Sequence, residues 1–376
     1  MTKANNLRIA IAITFLATFS ISSSFAAPRY TLIEVPSPTT GVAATGSFPG
    51  GINNTGQISG TLRLSNGSQE AFRFTSGVGT EHLGFLPTAL LSVGYGINSA
   101  GQVTGWSFNQ YGQLQAFIHT PGVGMQALPF ASGGTGTEGR DINNMGAVVG
   151  KANSVVPYDW NAFKYVQGSG SNFVNIGGGT FSEATAINDS GTVAGFATGI
   201  NGNPYRQAFV TSASGNVTPL GYLPGGSWSL AHDINEAGQV AGYSTSTFGG
   251  QAFLYTPGSG MIGLGMLAGS TYAEALGINA SGKVVGVSYT PGLDRAFLYS
   301  DEVMQSLNDL LLPEYSSYKI SYAADINDKG QIAAYANGRA VLLTPVPEPA
   351  TILQLLLGLA AIIFLSPKQF TTYFRV

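Results

Sequence analysis

The dipeptide Ile-Asn recurs seven times, at residues 52–53, 97–98, 142–143, 187–188, 234–235, 278–279 and 326–327, with spacings between 44 and 48 residues. A period of this length marks a repeat array, in which each unit is one supersecondary element and most glycines and aromatics are architecture. Each copy continues with two free residues, Gly, one free residue, a β-branched residue, one free residue and a second small residue. The first copy is Ile52-Asn53-Asn54-Thr55-Gly56, with Ile58 and Gly60 following. Asn opening and Gly closing four residues suit a type I turn followed by a left-handed residue. Asn caps the turn through its side chain, and Gly takes positive φ without a Cβ penalty. The unit therefore begins as a tight β-hairpin. The second Gly is Gly60, Gly105, Gly150, Gly195, Gly242 or Gly286, and becomes Ala334 in the last copy. A small residue there implies close packing of neighbouring strands.

About 20 residues after each Ile comes Ala-Phe, at Ala71-Phe72, Ala116-Phe117, Ala162-Phe163, Ala208-Phe209, Ala252-Phe253 and Ala296-Phe297, with Ala340-Val341 in the seventh unit. A Gly-rich turn and a short apolar strand follow. Four short strands in such a period are those of a propeller blade. The seventh unit ends after its third strand, and Tyr30–Val35 near the N-terminus supplies an unpaired one. A strand from one end completing the last blade would join the termini and remove exposed sheet edges. The expected fold is all-β: a closed seven-bladed β-propeller of four-stranded blades spanning residues 27–345, about 46 residues per blade. An open β-solenoid would need capping units, and none is visible.

These repeats resemble the HAF-repeat family, named for a His-Ala-Phe triplet in an extracellular repeat. The resemblance covers nearly all of residues 30–344 and implies a secreted repeat protein without an established activity. The chain departs from it at the first letter: Glu70, Gln115, Asn161, Gln207, Gln251 or Arg295 precedes Ala-Phe, never His.

The termini read as addresses. Residues 1–26 hold Lys3 and Arg8, an apolar run Ile9–Phe19 and Ser24-Phe25-Ala26, the pattern of a secretory signal peptide cleaved after Ala26; an uncleaved anchor is the alternative. Residues 346–376 carry Val346-Pro347-Glu348-Pro349 and an apolar segment, Ile352–Leu365, expected to form one helix. This tail is similar to a PEP-CTERM sorting signal, departing from it by ending with only Lys368 and Arg375 instead of an Arg cluster. The resemblance implies processing by exosortase-like machinery after signal peptidase, with transient membrane insertion, in a Gram-negative bacterium. The destination is then the periplasmic side, the outer membrane or the extracellular matrix. Retention of the tail as an anchor stays open, the apolar run being shorter than the ~20 residues of a full span.

Chemistry-bearing motifs are few. There is no Cys, so neither a disulfide nor a thiolate site exists. Charged residues are 9% with net charge −3, which leaves no electrostatic footprint for nucleic acid. His82, His119 and His232 have no metal-ligand spacing. Asp141, Asp233 and Asp325 share the position before Ile, where Gly51, Gly96, Ala186 and Gly277 stand in the other copies. Solvated or hydrogen-bonded strand-end carboxylates are the expectation there, a cation in the channel the alternative. No metal, cofactor or catalytic set is assigned. In a propeller, loops entering innermost strands and loops joining second to third strands emerge on one face. Trp106, Tyr158, Trp160, Trp228 and Tyr272 fall in or beside them. Aromatic faces beside hydrogen-bonding groups make sugar-stacking platforms; packing between blades would explain the same residues. The expected function is thus an exported, non-catalytic binding protein associated with extracellular polysaccharide. The alternative is a secreted glycan hydrolase or lyase, since propellers host both.

Overall fold

The computed structural model describes residues 28–154, 159–177, 179–212 and 214–347, and the propeller is one compact unit, Tyr30–Pro345. Seven antiparallel four-stranded sheets stand in a ring, a seven-bladed β-propeller. The first blade is Ala44–Ile52, Ile58–Leu64, Gln69–Thr75 and Gly79–His82, from the channel outward. The next five repeat this order, with innermost strands Ser92–Ile97, Thr137–Ile142, Ser182–Ile187, Ser229–Ile234 and Tyr272–Ile278. The last blade takes three strands from the C-terminal side, Ile320–Ile326, Ile332–Ala336 and Arg339–Val346, and its outermost strand, Arg29–Glu34, from the N-terminal side. Val35 N donates to Ala340 O at 2.9 Å, beside this edge. Helix among the described residues is limited to two 3₁₀ turns, Ile200–Gly202 and Pro313–Tyr315, and none is long and apolar enough to cross a membrane. The signal run, the apolar segment 352–365 and Glu348-Pro349 of the sorting motif lie outside the described residues; Val346 ends the last strand and Pro347 follows it.

The hairpin glycines Gly56, Gly101, Gly146, Gly191, Gly238, Gly282 and Gly330 all have φ between 72° and 81°, as the turn chemistry requires. The seven turn asparagines do more than cap. Asn53 Oδ1 accepts the backbone N–H of Thr55 and Gln57, at 3.1 and 3.0 Å. Its Nδ2 crosses to the next blade and donates to Asn98 O at 2.9 Å. The same donation runs Asn98 to Asn143, Asn143 to Asn188, Asn188 to Asn235, Asn235 to Asn279 and Asn279 to Asn327, at 3.0–3.2 Å. Asn327 Nδ2 returns to Asn53 O at 2.9 Å. Each asparagine is 3–6% exposed, so each bond is made where an unmet donor would cost the most.

The cores lie between blades. Phe72, Phe117, Phe163, Phe209, Phe253 and Phe297, the second residues of Ala-Phe, are fully buried. Each stands directly across from the second glycine of its repeat, as in Gly60↔Phe72 and Gly242↔Phe253. A Cβ at Gly60 would lie 2.0 Å from Phe48 O and 2.8 Å from the Phe72 ring. Only glycine admits both the adjacent strand and the ring. The seventh blade solves the same volume differently: Ala334 faces Val341. The small residue grows by a methyl and the large one shrinks, which keeps the wedge filled.

Candidate functional site

Just before each Ile-Asn the innermost strand slips register against its partner. The slip falls between Gly139 and Asp141, Ala184 and Ala186, Ala231 and Asp233, Ala275 and Gly277, and Ala323 and Asp325; the first two blades slip over Pro49–Ile52 and Gly94–Ile97. A bulge inserts one residue and re-aims its side chain. Here the inserted Arg140, Thr185, His232, Leu276 and Ala324, with Tyr95, line the central channel, a cavity of about 460 Å³ also bounded by Glu183, Phe196 and Tyr322. A second cavity of about 240 Å³ opens on the turn side, lined by the seven asparagines. Asp141, Asp233 and Asp325 border both and form the waist between them.

Each of these carboxylates joins two blades. Asp141 accepts from Ile142 N at 2.8 Å and Ile187 N at 2.9 Å. Asp233 accepts from Ile234 N and Ile278 N, both at 2.7 Å. Asp325 accepts from Ile326 N at 2.7 Å and Ile52 N at 2.9 Å. Small neighbours make room: a Cβ at Gly96 would lie 2.7 Å from Asp141 Oδ1, and one at Gly277 2.7 Å from Asp325 Cα. Carboxylates therefore alternate with Gly or Ala around the waist, and an odd ring of seven takes three. Burial raises Asp141 to about 6 and Asp325 to about 7, against the two backbone donors on each. It drives Asp233 well above the carboxylate range, helped by the charges of Asp325 and Asp141. These groups are hydrogen-bonded to backbone, and among the described residues no set of His, Cys, Asp or Glu is placed to hold a metal. His232 beside them is lowered to about 4 by burial, hence neutral, and its Nε2 has no partner.

Glu183 and Phe196, partners on adjacent strands, both line the larger cavity; a charged cluster leads away from the first and an aromatic one from the second. Arg140 Nε meets Glu183 at 2.6 Å and its Nη2 Glu138 at 3.3 Å; Lys151 Nζ lies 3.5 Å from Glu138 and 3.9 Å from Glu183. The Arg140 guanidinium covers Tyr95 at 4.7 Å. Both carboxylates are thus tied to cations.

In the adjoining aromatic arc Phe181 and Phe196 stack at 5.9 Å. The Arg206 guanidinium sits 4.8, 5.4 and 5.7 Å from the rings of Phe181, Phe196 and Trp228. Trp228 meets Tyr243 edge-on at 6.4 Å, Tyr243 meets Tyr272 likewise at 6.4 Å, and Tyr272 stacks on Tyr289 at 4.1 Å. Burial and the nearby Glu274 carboxylate push the hydroxyls of Tyr243, Tyr272 and Tyr289 up, so they remain donors.

Of the residues expected from sequence, Trp228 and Tyr272 belong to this arc, with Trp228 40% exposed. Trp160 opens its strand with Lys151 Nζ 5.3 Å above its ring and bridges Phe181 at the end of the arc. Trp106 lies within the strand Val103–Phe108, edge-on to Phe108 at 5.7 Å, its Nε1 inaccessible and unpartnered; it packs instead of presenting a face. Tyr158 lies outside the described residues. Sequence reasoning missed Arg206, Phe196, Tyr243 and Tyr289. A signal was present for two of them: the residue after the second small residue of each repeat is Thr61, Trp106, Lys151, Phe196, Tyr243, Val287 or Tyr335. That position varies widely while its neighbours repeat.

No protein-family model and no curated protein matches the chain. Solved structures do match its fold. Virginiamycin B lyase from Staphylococcus aureus superposes with a TM-score of 0.52 at 13% identity, over 84% of this chain and all of that one. A streptogramin B lyase gives 0.50 at 12%, over 85% and 98%. A puromycin-hydrolyzing peptidase from Mycobacterium tuberculosis gives 0.51 at 13%, over 86% of this chain and 58% of that one. At these identities the likeness shows the propeller scaffold alone, and scaffold does not fix function.

Proposed function

We propose that this propeller is an exported binding protein whose aromatic rim takes extracellular polysaccharide, without catalysing its breakdown. The observation that carries this reading is the unbroken line of rings from Trp228 through Tyr243 to Tyr272 and Tyr289, across two neighbouring blades. An exposed Trp228 ring beside half-buried tyrosines whose hydroxyls stay donors suits the two faces of a sugar, one of C–H groups and one of hydroxyls. The Glu138 and Glu183 carboxylates of the rim are neutralised by Arg140 and Lys151, which removes them as ready acid–base partners. A glycan array probed with the purified protein tests the proposal. Retention of polysaccharides by the wild type and its loss in Trp228→Ala is the expected result; release of reducing ends from any retained glycan would instead favour a hydrolase or lyase.

The address belongs to the same proposal. The HAF-like repeats, the signal run and Val346-Pro347-Glu348-Pro349 ahead of an apolar segment support export across the inner membrane of a Gram-negative cell and PEP-CTERM-type sorting. Intact-mass measurement on the native protein tests it. The expected species lacks residues 1–26 and the tail beyond Val346; a mass retaining Ile352–Val376 would make the tail an anchor.

A further inference from the structure

We infer that the rim selects acidic sugars, and that Arg206 is the residue that reads a uronate carboxylate. The inference rests on the carbohydrate reading above and names its ligand class.

Arg206 is half-buried, and its guanidinium has no ion pair or hydrogen bond among the described residues; ring contacts are all it makes. Two other half-buried arginines, Arg73 and Arg140, are ion-paired. Arg73 bridges Glu81 at 2.6 Å, and Arg140 bridges Glu183 and Glu138. A guanidinium carries five N–H donors in a rigid fork. Removed in part from water and left without an acceptor, it is an uncompensated charge. Phe181, Phe196 and Trp228 around it fix the plane of the fork while using only its faces. The N–H edge is left for an acceptor that the protein does not supply. A planar carboxylate meets such an edge through two parallel hydrogen bonds. Because stacking holds the side chain before the ligand arrives, little rotamer entropy is lost on binding.

The position suits a sugar acid. Trp228 is both the ring nearest to solvent on the arc and a ring that Arg206 covers. A pyranose lying on Trp228 would bring its substituents within reach of the guanidinium, and the tyrosines beyond would receive the neighbouring sugars. Next to this arc, where Glu183 pairs with Phe196, the cations Arg140 and Lys151 are already neutralised by Glu138 and Glu183. Arg206 is therefore the unpaired cation of the aromatic arc.

The test is calorimetric titration of the purified protein with oligogalacturonate and oligoalginate, each beside its carboxyl-reduced counterpart. The wild type is expected to bind at least one acid form tenfold or more tighter than its reduced form, with affinity falling as salt rises. Arg206→Gln should abolish that preference, bringing the affinities for the acid and reduced forms to within about twofold of each other. Arg206→Lys, which keeps the charge and loses the fork, should lose most of the preference, and thermal unfolding checks that both variants fold. Trp228→Ala should weaken acid and reduced forms alike. Equal binding of acid and reduced forms, or a preference untouched by Arg206→Gln, would overturn the role of Arg206 and leave the carbohydrate reading standing. Binding only of sulfated glycans would overturn the carboxylate assignment. Binding of no glycan, acid, reduced or sulfated, would overturn the carbohydrate reading and this inference with it.

Discussion

The two ends of the channel are built from the same seven repeats and follow opposite rules. At the turn end every blade presents the same asparagine, its Oδ1 bonded within its own turn and its Nδ2 to the next blade. At the other end the equivalent positions hold Thr61, Trp106, Lys151, Phe196, Tyr243, Val287 and Tyr335. The difference lies in what each position must satisfy. A buried side-chain amide bonded to a neighbouring blade has one solution, repeated seven times, because any unmet donor costs about 1–3 kcal/mol. The varied position, of which Phe196 lines the larger cavity, carries no such repeated bond. The uniform end holds the ring, and the varied positions are free to differ from blade to blade.

The largest effect that could break this picture is expected at the close-packed glycines. Gly195→Ala places a Cβ 2.1 Å from Glu183 O and against the Phe209 ring. It should cost about 3 kcal/mol or more of unfolding free energy in urea. Adding Phe209→Val imitates the Ala334–Val341 pair of the last blade and should recover at least about 1 kcal/mol. No recovery would mean that the seventh blade tolerates alanine for a reason other than volume.

Next in size is the asparagine ring. Asn143→Asp keeps the oxygen that accepts from Met145 N and Ala147 N but removes the donor to Asn188 O. A loss of about 2 kcal/mol is expected by chemical denaturation, because a buried acceptor is left facing a carboxylate. A neutral outcome would reduce the asparagines to turn caps.

The waist gives a smaller, pH-dependent signal. Asp325 titrates at about 7 in the folded state against 3.8 unfolded. A raised pKa means that its stabilising contribution is complete below about 3.8 and is lost as pH rises through about 7. Asp141, at about 6, follows the same sign at lower pH. His232, lowered to about 4, has the opposite slope between about 4 and 6.5. The carboxylates are therefore seen alone above pH 6.5. The melting temperature of the wild type should fall from pH 6.5 to 8, and that fall should be shallower in Asp325→Asn. Identical slopes would show that Asp325 is ionised throughout.

How far the fold was legible follows the same division. The Ile-Asn period, the turn glycines and the half-blade at each end depend on local backbone chemistry, and they yield seven four-stranded blades with positive φ at each turn glycine. The Asn-to-next-blade bond was not legible, because its partner lies 44–48 residues away and the same Asn is fully explained as a local cap. The pairing of Gly60 with Phe72 is a cross-strand register, invisible until the strands are laid side by side. At the rim, tryptophan was a useful marker for Trp228 and Trp160. Trp106 lies apart from the aromatic arc, edge-on to Phe108. Arg206 carried no signal at all, since an arginine at the start of a strand is ordinary until three rings are found around it.

Urea unfolding of Asn188→Ala and Trp228→Ala, measured side by side, tests the division most directly. Asn188→Ala deletes the donor to Asn235 O and the acceptor for Thr192 N, and should lose about 3 kcal/mol. Trp228→Ala removes a ring at the rim and should lose about 1 kcal/mol or less. A gap of this size and sign places stability at the uniform end and leaves the varied end free for binding. Equal losses, or a larger loss for Trp228→Ala, would contradict the account by making the aromatic arc part of what holds the blades together.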